Sequence, residues 1–327
     1  MPEQTTMRAL RLRTLIGGEG LEIAQVPAPS SADLVVIEVH AAGIGFPDLL
    51  MTKGQYQFKP NPPFTPGVEA AGVVISAPPT SGVNPGDRVI ASSMLGAWAE
   101  VALAHPLSTM PIPDGMSFEE ATAMVNYQTA YFGLVWRGGV KAGETVLVHG
   151  AAGGTGTAAI QVARGLDAAV IAIGRGEEKL AVARDAGAQH CIEAESDWLE
   201  QVREITGKRG VDIVYDPVGG DRFTDSVRAL APLGRLLVIG FAGGTIPEVK
   251  VNRLLLRNTA VVGVAWGEYV RVDPTMPLTI AADLAKLYAA GHIRPPIGGV
   301  YPMERCAEAL RALEERRATG KLVLKIR

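Results

Sequence analysis

The chain has 327 residues, which is long for a single hydrophobic core and predicts two domains. Hydrophobic residues make up 47% and charged residues 20%, the composition of a well-packed globular protein. The net charge of −3 gives no electrostatic reason to expect nucleic acid or an anionic membrane as the main partner.

The cysteine content and the hydropathy of the chain predict where the protein works. Cys191 and Cys306 are too few for a secreted disulfide framework, so a reducing compartment is the simpler expectation. The first residues lack the apolar core of a signal peptide, and no apolar run approaches the roughly 18 residues that span a bilayer. We therefore expect a cytoplasmic protein.

The first part of the chain predicts a β-rich domain. Short apolar runs at 34–39 and 70–75 are separated by turn clusters such as PNPPFTPG and APPTSG. The segment NPGDRV, residues 84–89, predicts a turn that leads into a strand.

From residue 143 onwards, strands and helices alternate. The predicted strands are 145–149, 170–173, 191–192, 211–215, 236–239 and 260–264, and the helices between them are 156–166, 177–186, 198–205 and 224–230. Near-continuous apolar strands in this rhythm indicate a doubly wound parallel sheet, an α/β fold. The last part predicts helices at 280–290 and 307–315 and a strand at 322–326, and we expect it to rejoin the N-terminal domain.

The segment VLVHGAAGGTGTAAIQVA, residues 146–163, is the strongest chemical signal. A buried strand leads there into a glycine-rich turn and a helix, the arrangement that binds a dinucleotide pyrophosphate at the helix N-terminus. The residues predicted to line this turn are Ala152, Gly153, Gly154, Thr155 and Gly156. The structural alternative is a glycine-rich turn that only packs a strand against a helix.

The end of the second strand indicates which dinucleotide binds. An NAD site usually places Asp or Glu there, whereas this chain has Gly174 followed by Arg175. A guanidinium at this position can bind a 2′-phosphate through charge-assisted hydrogen bonds, and Lys179 could add a second positive charge. These residues favour NADPH; the alternative is a solvated Arg and Lys beside Glu177 and Glu178.

The motifs taken together resemble the medium-chain dehydrogenase/reductase superfamily along essentially the whole chain. AAGGTG, GIGFPDLLMTKGQY, PGVEAAGVV, NYQTAYFGL and YDPVGG are similar to zinc-independent NADPH:quinone oxidoreductases of the zeta-crystallin type. The resemblance implies a GroES-like catalytic domain at 1–124, a Rossmann NADPH-binding domain at 125–266 and a return to the catalytic domain at 267–327.

The zinc ligands of related alcohol dehydrogenases are missing from the matching positions. GIGFPD contains no cysteine, Val68 stands where a histidine would be, and Val125 stands where a later cysteine would be. Two distant cysteines cannot form a closed thiolate site, so we expect no metal.

A chain without a Lewis acid favours the reduction of activated π systems over the oxidation of alcohols. We therefore expect direct hydride transfer from NADPH to a quinone. The alternatives are an enone or enoyl-thioester reductase, and an NADPH-binding protein with a structural or regulatory role.

Further candidate site residues come from the resemblance, from the expected domain cleft and from the end of the fifth predicted strand, each with a structural alternative. Tyr127 and Tyr56 are the candidate catalytic residues, but both could serve in packing. Candidate contacts to the cofactor are Asn126, Thr129, Gly240, Phe241 and Arg317. Of these, Thr129 could only bond its own helix, Phe241 could fill the core, and Arg317 could be a charge on the C-terminal helix.

Two expectations concern structure rather than chemistry. His149 is expected to pack in the core, and Asp48 and Glu69 to serve the domain structure. Residues 259–266 are apolar and would form the sheet edge, where the resemblance implies that a homodimer forms.

Overall fold

The computed structural model describes residues 5–327. The chain divides into two compact units. The first unit runs to Val125 and adds Pro274–Ala281 and Ile297–Arg327, and the second comprises Asn126–Asp273 and Ala282–Pro296. No helix among residues 5–327 is long and apolar enough to cross a membrane.

Most elements up to residue 111 are strands, and from residue 145 to residue 263 strands alternate with helices. The strands are β1 (Thr6–Leu12), β2 (Leu21–Pro27), β3 (Val35–Ile44), β4 (Glu69–Ser76), β5 (Arg88–Ser92), β6 (Val101–Ala104), β7 (Thr109–Pro111), β8 (Thr145–His149), β9 (Ala169–Gly174), β10 (His190–Glu193), β11 (Val211–Asp216), β12 (Leu230–Val238), β13 (Ala260–Gly263), β14 (Ile297–Pro302) and β15 (Lys321–Lys325). The helices are α1 (Phe46–Thr52), α2 (Phe118–Ala121), α3 (Met124–Tyr131), α4 (Gly154–Gly165), α5 (Glu177–Asp185), α6 (Trp198–Ile205), α7 (Phe223–Ala229), α8 (Asn252–Arg257), α9 (Trp266–Val272), α10 (Met276–Ala289) and α11 (Cys306–Glu314).

The first unit is built on a sheet whose path is β14-β15-β3-β4-β5-β7, with β6 also paired to β3. The C-terminal strand β15 pairs antiparallel with β3, as the sequence predicted for the last part of the chain. Trp98 is fully buried in this unit, and its indole N–H donates to the carbonyl of Gly43 at 2.9 Å. This bond satisfies the one polar group that the large side chain takes into the core.

The second unit is the doubly wound sheet. Its strands follow the order β10-β9-β8-β11-β12-β13, and every neighbouring pair is parallel. All six residues of β11 are buried, as expected where helices cover both faces of a parallel sheet. Strand β13 lies at one edge, which confirms the predicted edge position.

The assignment of the last part of the chain differs from the sequence prediction. Within the predicted return segment, 267–327, residues 267–273 and 282–296 belong to the second unit. Hydrogen bonds explain this position, because the Gln161 side chain donates to the carbonyl of Arg294 at 2.9 Å and accepts from its N–H at 2.8 Å. The Tyr131 hydroxyl likewise donates to Asp283 at 3.0 Å.

Candidate functional site

The glycine-rich turn joins β8 to α4 at the carboxyl edge of the parallel sheet. Gly150 adopts φ +58°, a left-handed conformation that favours glycine, and its carbonyl accepts from the N–H of Gly153 at 3.0 Å. A Cβ at Gly156 would lie 2.3 Å from the carbonyl oxygen of Gly150 and 2.8 Å from the Cα of Ala151. Only a glycine at position 156 therefore lets the helix start this close to the strand.

The N-terminus of α4 is free of side-chain capping. Gly153 is the N-cap residue and supplies no side-chain hydrogen bond, and the first turn contains no acidic residue. The N–H groups of a first helical turn have no acceptor within their own helix, and the helix dipole places partial positive charge beside them. Gly153, Gly154 and Thr155 are half-buried, so the turn can receive an anion.

Asn126 joins helix α3 to this turn. Its side-chain amide donates to the hydroxyl of Thr155 at 3.0 Å. The amide oxygen of Asn126 is buried and finds no hydrogen-bond donor among residues 5–327. Buried carbonyl oxygens are normally hydrogen-bonded, so this atom is suited to accept from a bound ligand. The structure thus brings together Asn126 and the predicted turn.

Three charged side chains gather past the ends of the neighbouring strands. Arg175 follows β9, and its guanidinium donates to Glu195 at 2.5 Å. Arg222 donates to the same carboxylate oxygen of Glu195 at 2.7 Å. The hydrogen bond from Arg175, followed by the positive charges of both guanidinium groups, lowers the pKa of Glu195.

Three charged residues at this edge of the sheet were not predicted from the sequence: Glu195, Arg222 and Glu193. Glu193 accepts from the N–H of Gly176 at 2.7 Å, and this bond lowers the pKa of Glu193. Acids are therefore present at the end of β10 and just after it, although none ends β9. The position of these residues was a usable signal, because ligands of parallel sheets bind at the carboxyl ends of the strands: Glu193 ends β10, and Glu195 and Arg222 follow β10 and β11.

The other predicted cofactor contacts of the second unit lie in α3, in α5 and beyond β12. Thr129 is half-buried in α3, and Lys179 is half-buried in α5. Gly240 and Phe241 follow β12 in a loop tied to the β11 loop, where the N–H of Ala242 donates to Pro217 at 3.0 Å. Phe241 remains 38% exposed, so one part of its ring faces outward.

Tyr127 is 1% exposed and its hydroxyl donates to Gln161 at 2.7 Å. Because that proton is already engaged inside the unit, the geometry favours the packing role over proton donation. His149 is also buried, accords with the core position predicted for it, and bonds the hydroxyl of Ser226 at 2.8 Å. Burial lowers the pKa of His149 and so keeps it neutral.

Two predicted site residues belong to the first unit. Tyr56 is half-buried against a cluster that contains Leu12, Met51 and Phe64. Arg317 pairs with Glu315 at 2.6 Å on the surface. Both positions therefore have local partners within that unit.

A buried ionic cluster lies in the first unit. Glu69 pairs with Lys321, and their side chains are 7% and 3% exposed. Asp48 accepts from the N–H of Gly45 at 2.8 Å at the start of α1. Burial, reinforced by the negative charge of Glu69, raises the pKa of Asp48 to about 7. These contacts support the structural role expected of Asp48 and Glu69. Within residues 5–327 no group of three or more His, Cys, Asp or Glu side chains is arranged to hold a metal ion.

Comparisons with known proteins show the family. Residues 31–114 match the alcohol dehydrogenase GroES-like domain family, and residues 154–282 match the zinc-binding dehydrogenase family. Quinone oxidoreductase-like protein 2 of Bos taurus is 40% identical over 306 residues, which cover 92% of this chain and 87% of that protein.

Solved structures agree with this match. A probable oxidoreductase from Mycobacterium abscessus is 45% identical with a TM-score of 0.91, covering 99% of this chain and 100% of that one. The quinone oxidoreductase of Thermus thermophilus, solved also in complex with NADPH, is 34% identical with a TM-score of 0.83, covering 98% of this chain and 100% of that one. This chain therefore belongs to the medium-chain dehydrogenase/reductase family, in the group of quinone oxidoreductases and their relatives.

Proposed function

We propose that this chain is an NADPH-dependent reductase that delivers hydride to a quinone or a similarly electron-poor double bond. The observation that carries the proposal is the uncapped N-terminus of α4 on a glycine-lined turn, with the guanidinium groups of Arg175 and Arg222 at the same edge of the parallel sheet. A helix N-terminus suits a pyrophosphate, and guanidinium groups suit a phosphate monoester. The resemblance to quinone oxidoreductases supports the acceptor.

The residues present fit the cofactor. The backbone N–H groups of Gly154, Thr155 and Gly156 would bind the pyrophosphate, and Arg175 would bind the 2′-phosphate. The amide oxygen of Asn126 is buried and has no donor among residues 5–327. It would accept a hydrogen bond from the nicotinamide carboxamide and so gain the partner that a buried carbonyl oxygen normally has. Bound NADPH supplies the hydride.

The residues of the first unit support the proposed acceptor class. Val68 stands at the position of a zinc-ligating histidine and packs beside Met51 and Phe64, so this position offers no group that could polarise an alcohol oxygen. Hydride addition to a quinone gives an oxyanion delocalised over a ring, which needs no strong acid. Because the Tyr127 hydroxyl is held by Gln161, we assign protonation of the reduced acceptor to solvent.

Anaerobic oxidation of NADPH tests the proposal. The purified protein is given simple quinones, α,β-unsaturated ketones and enoyl thioesters, with NADH as the matched cofactor control. Quinone turnover with NADPH preferred is the expected result. Turnover of enones or thioesters alone would replace the quinone assignment with the alternative reductase, and tight NADPH binding without turnover would favour a structural or regulatory role.

We also propose a cytoplasmic homodimer that forms through β13. The strand is an open edge of the sheet, and nearby α8 exposes Leu255 by 75% and Leu256 by 78%. Light scattering after size-exclusion chromatography should give twice the chain mass, and Val262→Lys should give monomers. Ile16→Lys, a change at an exposed residue of the first unit, is the control. A wild-type monomer would overturn the dimer.

The free thiols of Cys191 and Cys306 suit the cytoplasm, and fractionation of cells tests that compartment.

A further inference from the structure

Two arginines share one carboxylate oxygen at the carboxyl edge of the parallel sheet. Arg175, Glu195 and Arg222 come from three different loops, which follow β9, β10 and β11 respectively. Both guanidinium groups donate to the same oxygen of Glu195, at 2.5 and 2.7 Å. The three side chains carry two positive charges and one negative charge, and Arg175 also acts on the carboxylate of Glu193, whose pKa its charge helps to lower.

Arg222 is held in place from inside the unit. Its carbonyl accepts from the hydroxyl of Ser226 at 3.0 Å, and that hydroxyl also bonds the buried His149 at the end of β8. Its side chain is 29% exposed, whereas those of Arg175 and Glu195 are 61% and 60% exposed. Arg222 is therefore the better anchored of the two cations, and Glu195 can move away into solvent.

The trio contributes little to the stability of the fold. Ion pairs between exposed side chains add little to the free energy of unfolding, because water and salt screen the charges. Two guanidinium groups this close to one point repel each other unless an anion lies between them. A phosphate monoester carries about −1.5 to −2 charges and three acceptor oxygens, and so it matches the pair better than one carboxylate does.

We propose that Arg222 is a second determinant, beside Arg175, of the preference for the 2′-phosphorylated dinucleotide, and that Glu195 weakens that preference by competing for both guanidinium groups. This inference rests on the proposed function, since it assigns the 2′-phosphate end of the same cofactor site. Glu195 occupies the arginine pair when no cofactor is bound, and the phosphate must displace it.

Calorimetric titration with 2′,5′-ADP and with 5′-ADP tests the assignment without any turnover. The variants are Arg222→Met and Glu195→Gln. The control is Arg228→Met, which removes an exposed arginine of α7 that pairs only locally with Asp225. Arg222→Met should weaken the binding of 2′,5′-ADP about tenfold, which corresponds to the loss of one charge-assisted hydrogen bond. The affinity for 5′-ADP should be unchanged.

Glu195→Gln should tighten 2′,5′-ADP by roughly three- to fivefold, the range of an exposed ion pair, and leave 5′-ADP unchanged. Misfolding of the Glu195→Gln variant would not produce a gain of affinity, so tighter binding by this variant can be attributed to the loss of the carboxylate charge. Weaker binding of 2′,5′-ADP by Glu195→Gln, or an equal loss of both probes in Arg222→Met, would overturn the inference. A wild-type preference for 2′,5′-ADP that both variants leave intact would overturn this inference alone, whereas no preference in the wild type would overturn the NADPH assignment itself.

Discussion

Two glycines of the same turn should fail in different ways when each is replaced by alanine. At Gly156 a Cβ would lie 2.3 Å from a backbone oxygen and 2.8 Å from a backbone Cα, so the protein itself has no room. At Gly153 the nearest atom to a Cβ is 3.5 Å away, and φ is −79°, so alanine fits the protein. The added methyl group at position 153 would instead stand where the pyrophosphate must approach the backbone.

The expected magnitudes follow from these distances. Gly156→Ala requires the turn and α4 to move apart and should lower the free energy of unfolding by about 3 kcal/mol, the upper range for overpacking. Gly153→Ala should change the free energy of unfolding by less than about 1 kcal/mol. Gly153→Ala should weaken the binding of NADPH by about ten- to a hundredfold, which is the equivalent of one or two hydrogen bonds to a charged group.

Urea unfolding and NADPH titration by nicotinamide fluorescence measure the two effects separately. Gly267→Ala, a change in α9 where a Cβ meets nothing within 4 Å, controls for the general effect of alanine on backbone entropy. Stable folding of Gly156→Ala would refute the reasoning about the turn. Unchanged NADPH affinity in Gly153→Ala would refute the placement of the pyrophosphate.

Three further changes have definite expected outcomes. Arg175→Glu should weaken NADPH far more than NADH in the same titration; equal weakening would show that Arg175 does not bind the 2′-phosphate. Chelation by EDTA, followed by added zinc, should leave NADPH oxidation unchanged, and loss with zinc-dependent recovery would contradict the proposed metal-free transfer. Because the pKa of Asp48 rises from 3.8 to about 7, the folded chain keeps a proton that the unfolded chain releases, and stability falls as pH rises through that window. Between about pH 5 and 8 the free energy of unfolding of the wild type should therefore fall by about 3 kcal/mol more than that of Asp48→Asn. Urea midpoints at several pH values measure both proteins, and equal pH slopes would contradict the expectation.

The second unit could be predicted from the sequence because its strands are buried on both faces. Strands of this kind show near-continuous apolar runs, and the predicted 145–149 coincides with β8. Helices α8 and α9 were missed because their apolar residues do not form one buried stripe. Leu255 and Leu256 of α8 are largely exposed, so the helical period has no buried face to mark it.

The glycine-rich turn could be predicted because its chemistry is local to one segment. The arginine pair could not be read as one group, since Arg175 and Arg222 are far apart in sequence and meet only when the strand order is known. In the order β10-β9-β8-β11, the loops after β9, β10 and β11 lie on the same edge of the sheet. Strand order is set by packing of the whole unit, which a segment-by-segment pattern does not contain.

In the proposed site, the residues assigned to cofactor preference differ from those that stabilise the fold of this unit. The strands that hold the sheet together are buried, and their contribution comes from apolar burial. Arg175 and Glu195 are more than half exposed and stand beyond the strand ends, where an ion pair contributes little to the folded state. Substitutions there can alter which dinucleotide binds while leaving unfolding nearly unchanged, whereas a substitution at Gly156 cannot separate the two. If the proposed phosphate end is correct, it is the place where this scaffold can change its cofactor preference with least effect on folding.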